Sequence, residues 1–214
     1  MEATEILTKL ALTLGASWCA GINLYATIAV LGLMHRYIAG FALPGDMAVL
    51  ANDWVLWPAL ALYVIEFVAD KVPAVDSVWD TIHTFIRVPA GAVLAAMALG
   101  QVPLEFQICA ALLGGTLAFG SHATKSTLRV AAHSTGTSPV LSPVLSVAED
   151  VAVVGTVALI AAHPVISLAL VCVMLVASYF IIRAFWRLAK KAVRAMTRLF
   201  KKPIEEDPAM ATVN

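Results

Sequence analysis

Apolar runs of fifteen to twenty-seven residues recur six times along this chain, over 8–34, 54–69, 88–102, 104–122, 143–162 and 164–184. About 20 apolar residues, at 1.5 Å rise each, cross the hydrocarbon core of a bilayer. Inside that core only helices and closed barrels satisfy every backbone polar group. The expectation is an all-α polytopic membrane protein with about six transmembrane helices. Composition agrees, with 61% hydrophobic and 13% charged residues against about 45–50% and about 25% in soluble chains.

The first run is long enough to be broken, and Gly15, Gly21 and Asn23 favour a break within it. It is too long for a signal peptide, and Glu2 and Glu5 precede the first lysine. The runs 54–69 and 88–102 are short for full spans and borrow length from the polar segment between them, which reads as a short amphipathic or re-entrant element. Cys19, Cys109 and Cys172 stand far apart with no CxxC pair and read as small buried hydrophobes. Three regions follow: a transmembrane domain over 1–182, a basic amphipathic helix over 183–202, and a disordered tail over 203–214.

Net charge is zero, which implies no nucleic-acid partner, but the basic residues are unevenly placed. With both termini inside, thirteen Lys and Arg fall on inner segments and only Arg36 on an outer loop. The positive-inside rule therefore puts both termini in the cytoplasm. Eight of the fourteen basic residues lie in RAFWRLAKKAVRAMTRLFKK (183–202), at helical spacing among apolar ones, as suits contact with anionic lipid.

Ionisable residues at membrane depth are expensive and point to function. In the segment 66–87, Asp76, Asp80, His83 and Arg87 fall on one helical face opposite Val75, Val78, Trp79, Ile82 and Ile86. Pro73 suits the first turn of that short helix and Pro89 marks its end. In 120–133, His122, Lys125, Arg129 and His133 form a second, basic stripe. In 137–150 a repeated SPVL spaces Ser138, Ser142 and Ser146 four apart, and Pro139 and Pro143 delay the helix until about Pro143, with Ser142 as its cap. Glu149 and Asp150 then lie about two turns inside the fifth span, where adjacent carboxylates need a cation or a proton.

All three stretches fall on the cytoplasmic side, and the economical arrangement is that they meet. Glu66, Asp76, Asp80, His83, Glu149 and Asp150 are the candidates for proton or ion coupling. Asn23, Arg87, His122, Lys125 and Arg129, with unwound backbone at Gly21 and Gly120, are the candidates for solute binding. Asp76, Asp80 and His83 are spaced to hold one divalent cation; no other cofactor is indicated. An offset of 99 residues aligns Gly15 with Gly114 and Gly21 with Gly120 and suggests an inverted three-plus-three repeat. Small-residue pairs, Ala16/Ala20 and Gly114/Ala118, favour close helix contact or a homo-oligomer.

The strings GINLY (21–25), VADKVPAVDSVWDTIHTFIRVPAGA (68–92), HATKSTLR (122–129) and SP…S…ED (138–150) resemble a bacterial multi-pass membrane family, the domain of unknown function numbered 4126, through most of residues 10–165. The resemblance implies a polytopic fold in a bacterial inner membrane and brings no substrate with it. Three function classes fit the residues. The first is a small secondary transporter or channel-like carrier for a polar or anionic solute, coupled to protons or cations. The second is a non-catalytic assembly or accessory protein. The third is a metal-assisted enzyme on a phosphorylated, lipid-linked substrate, which the absence of PSGH, GxSxG and HExxH motifs disfavours.

Overall fold

The computed structural model describes residues 3–200, apart from the side chains at positions 73, 74, 76, 77, 195, 196 and 198–200. The described chain is α1 (Ala3–Ile22), α2 (Leu24–Tyr37), a 3-10 helix (Gly45–Ala51), α3 (Asp53–Ala69), α4 (Pro73–Leu99), α5 (Leu104–Ser134), α6 (Ser138–Ala162) and α7 (Pro164–Phe200). Four helices contain stretches long and apolar enough to cross a membrane: Val78–Leu99 of α4, α5, α6 and Pro164–Arg194 of α7. The 3-10 helix and α3, bent by 64°, together make a fifth candidate.

The bundle is apolar outside and polar within. On α4 the apolar face carrying Val75, Val78, Ile82, Phe85 and Ile86 is exposed, with Phe85 79% accessible, while Asp80, His83 and Arg87 are buried. The outer faces of α3, α5, α6 and α7 likewise expose large aliphatic and aromatic side chains. Such a surface is stable only where the surroundings are themselves apolar.

α1 is the axis of this bundle although it is not one of the helices long and apolar enough to cross a membrane. From Ala11 to Ile22 every residue except Leu14 is buried. Small residues let α4 and α5 approach closely. A Cβ on Gly91 would meet Ala118, one on Gly114 would meet Ala95 and Gly91, and one on Gly21 would collide with the Ala118 carbonyl and the Ser121 hydroxyl. Hydroxyls fasten the crossings: Ser17 donates to the Gly91 carbonyl at 3.0 Å and Ser121 to the Trp18 carbonyl at 2.8 Å.

The expected break in the first run falls at Asn23. Its side-chain oxygen accepts the Ala26 N–H at 3.0 Å and so starts α2. Other expected boundaries are overturned. Pro89 does not end a helix, because α4 runs through it to Leu99. The proline forfeits one bond, to the Phe85 carbonyl, and flanking turns packed on α1 and α5 hold the helix. The basic stripe is likewise no loop: α5 continues unbroken to Ser134, so backbone at Gly120 is helical rather than unwound. α6 starts at Ser138, because Pro139 occupies the first turn, where a missing N–H costs nothing. Ser142 is therefore a buried residue inside α6, not its cap.

The basic segment 183–200 is the continuation of α7 rather than a separate helix, and residues 201–214 lie outside the described residues. Cys19 is buried as expected, but Cys109 and Cys172 are exposed on the outer surface. The repeat register pairs a helix broken at Asn23 with one continuous through Gly120, so the break has no counterpart in the second half.

Candidate functional site

The acidic and basic stripes meet in the interior. Arg87 on α4 and Lys125 and Arg129 on α5 are all buried, and so are Glu66 near the end of α3, Asp70 in the turn after it, and Asp80 on α4. Arg87 donates to Glu66 Oε1 and, at 3.2 Å, to Asp80 Oδ1. Arg129 pairs with Asp70 Oδ2 at 2.9 Å and with Glu149 Oε2 at 2.8 Å. Lys125 Nζ lies between these two triads, 3.4 Å from Glu66, 3.5 Å from Asp70, 3.6 Å from Asp80 and 3.2 Å from Glu149. Every carboxylate oxygen it faces is also held by a guanidinium. The ammonium acts as a point charge at the centre of the cage, since its contacts are longer than the usual 2.9–3.0 Å of a directed hydrogen bond.

The broken helix reaches into the same cage. In an unbroken helix the Ala26 N–H would bond the Ile22 carbonyl. Asn23 takes that N–H instead, and the freed Ile22 oxygen accepts from Lys125 at 3.3 Å. Asn23 also donates its amide to Asp150 Oδ1 at 3.0 Å, and Tyr63 on α3 donates to Asp150 Oδ2 at 3.1 Å. One asparagine thus caps α2 and ties the break to α6.

The histidines occupy defined positions. Arg87 can only donate, so His122 Nδ1, 2.9 Å away, accepts, and the ring proton sits on Nε2 facing Thr84 Oγ1 at 2.6 Å. His83 Nδ1 faces the Trp79 carbonyl at 2.7 Å, and in the neutral ring its Nε2 receives the Tyr25 hydroxyl at 3.0 Å. A cavity of about 450 Å³ borders the cage between α4 and α5, where Phe85 and Val130 add apolar wall to Asp80, Thr81, Thr84, Ser126, Arg129 and His133.

Of the sequence candidates, Glu66, Asp80, Arg87, His122, Lys125, Arg129 and Glu149 form one connected network, with Asn23 and Asp150 beside it and His83 on the same face of α4. Gly21 is a packing position against α5, and Gly120 touches nothing within 4 Å of a built Cβ. The side chain of Asp76 lies outside the described residues. Asp80 faces cations and His83 faces Tyr25 and a carbonyl; among the described residues no group of three or more His, Cys, Asp and Glu is placed to hold a metal ion. Sequence reasoning missed Asp70, Tyr25, Tyr63 and Thr84. Asp70 is readable as the i+4 neighbour of Glu66; the tyrosines carry only the general rule that a buried hydroxyl finds a partner.

Apolar outer faces around a charged interior, with four to five helices fit to cross a bilayer, define a multi-pass helical membrane protein. The chain belongs to the family described as Domain of unknown function (DUF4126), whose family model matches residues 10–184, from the centre of α1 into α7. No curated protein and no solved structure matches it significantly.

Proposed function

We propose that this protein is a small secondary transporter, or channel-like carrier, for a polar or anionic solute, coupled to proton or cation movement through its interior carboxylates. The charge balance of the cage supports this reading: among the described residues three fixed cations face four carboxylates, with Asp150 a fifth alongside. A purely structural interior would be served as well by apolar side chains, because buried ion pairs cost about as much desolvation as they return. A surplus of acids at membrane depth calls for a mobile positive charge. The cavity beside Arg129, walled by Phe85 and Val130 as well as by the Thr81, Thr84 and Ser126 hydroxyls, offers the solute a berth with a few polar contacts, and the break at Asn23 supplies helix ends without desolvated charge.

In this reading α1 and α2 together form a sixth, broken span, both termini are cytoplasmic in a bacterial inner membrane, and the basic end of α7 rests on anionic lipid. No cofactor is required, and small-residue faces serve a homo-oligomer. The exposed basic face of α7 between Arg183 and Arg194 favours the second reading, an assembly or accessory protein that recruits lipid or a partner there.

The test is solute-driven proton or alkali-cation movement in proteoliposomes, wild type against Asp150→Asn. Coupled flux lost in the variant supports the carrier. Wild-type vesicles that move neither ions nor solute under any imposed gradient overturn it.

A further inference from the structure

We propose that Asp150, clasped by Asn23 and Tyr63, is the site that takes up the coupling proton, while the four carboxylates of the cage remain ion-paired. The functional meaning of this assignment rests on the carrier reading; the protonation itself does not.

The five carboxylates differ in what holds them. Glu66, Asp70, Asp80 and Glu149 each lie within ion-pair distance of at least two of Arg87, Lys125 and Arg129. Protonating any of them would leave buried cations short of a partner. Asp150 has no cation at ion-pair distance among the described residues, and its two oxygens are held by neutral donors, an amide and a phenol. The titratable groups acting on it are acidic: Tyr63 on α3, Asp70 after α3 and Glu149 on its own helix. Lys125 and Arg129 on α5 engage Glu149 instead. Asp150 is also only partly buried.

The exchange is chemically simple. A proton from solvent adds to Asp150 Oδ2, and the new O–H donates to Tyr63, whose hydroxyl is both donor and acceptor and turns its own proton elsewhere. Asn23 Nδ2, which can only donate, stays on Oδ1. The bond between α3 and α6 thus reverses direction while the bond between the helix break and α6 persists. The carboxylate charge next to the break disappears, and that change biases how α1 and α2 sit against α6.

The experiment is pH-difference infrared spectroscopy on the purified full-length protein, following the C=O band of protonated carboxyl groups. Above the range, about pH 4, in which exposed carboxylates titrate, a single titrating band is expected in wild type, lost in Asp150→Asn, retained in Glu149→Gln, and shifted in frequency in Tyr63→Phe. Asp150→Glu keeps a titrating band at a new midpoint and serves if the asparagine variant does not fold. The proposal is overturned if the band persists unchanged in Asp150→Asn, if wild type shows none, or if the midpoint moves with sodium at fixed ionic strength, which would assign the site to an alkali cation. A titrating Asp150 band in a protein that drives no flux in vesicles would retain the proton site and remove the carrier reading.

Discussion

Lys125 Nζ lies 3.3 Å from the carbonyl oxygen of Ile22, the acceptor left open where α1 breaks into α2. One buried ammonium therefore joins the interior carboxylates to the only break in the central helix pair. This is why its position on α5 matters more than its charge alone. A cation elsewhere on α5 could neutralise acids but could not also close the broken helix.

Replacing Lys125 by Met removes the charge at the centre of the cage and keeps much of the stem. Four carboxylates then share two guanidinium groups, and the Ile22 carbonyl loses its donor. Breaking a buried ion pair from one side costs about 3–5 kcal/mol, so the variant should melt far below wild type or fail to accumulate. A thermal melt in detergent within a degree or two of wild type would show that Lys125 holds nothing together.

Arg87 and Glu66 sit on different helices and are joined directly by hydrogen bond. Glu66→Gln and Arg87→Gln should each destabilise strongly, and the double variant should be less impaired than the sum, with a coupling of about 1–3 kcal/mol. Denaturant midpoints for the four proteins of the cycle measure it; additive losses would contradict the pairing.

Gly21 and Gly120 separate two roles that one residue type can play. A Cβ at Gly21 meets the Ala118 carbonyl and the Ser121 hydroxyl, whereas one at Gly120 meets nothing within 4 Å. Gly21→Ala should destabilise by about 1–3 kcal/mol through overpacking. Gly120→Ala should be neutral or stabilising by about 0.5–1 kcal/mol, as alanine stiffens a helix interior. Melting temperatures of the two variants decide, and equal effects would contradict the helix packing described.

Gly45 and Gly100 pack against each other, so the connection after α2 and the one after α4 lie at the same end of the bundle. In intact cells, single cysteines placed at Gly40 and Gln101 should label from outside, and ones at Lys71 and Gly136 only after the membrane is opened. Labelling of Lys71 from outside would reverse the orientation proposed above.

The stripes themselves are legible in the sequence. Asp80, His83 and Arg87 have to share a helical face, as do His122, Lys125 and Arg129, because the 3.6-residue period is a property of the local chain. The break at Asn23 is also legible, from a polar cap residue set among glycines inside an apolar run. Helix ends are not. Pro89 reads as a stop and Pro139 and Pro143 as delaying a start, yet α4 passes through the first and α6 begins ahead of the other two. A proline costs one bond, and packing along the rest of a helix outweighs that locally visible loss.

The sequence alone therefore determined that this chain is a helical membrane protein with its ionisable residues gathered on two stripes, because hydropathy and periodicity act over a few turns at a time. Only the tertiary structure decided which acid meets which base. That Asp70 and Tyr63 belong to the site, that Lys125 closes the broken helix and that Asp150 stands apart from the cations depend on how α1, α3, α4, α5 and α6 cross. The crossings of α1, α4 and α5 follow from where Gly21, Gly91 and Gly114 let the backbones touch, a long-range steric fact that no window of sequence contains.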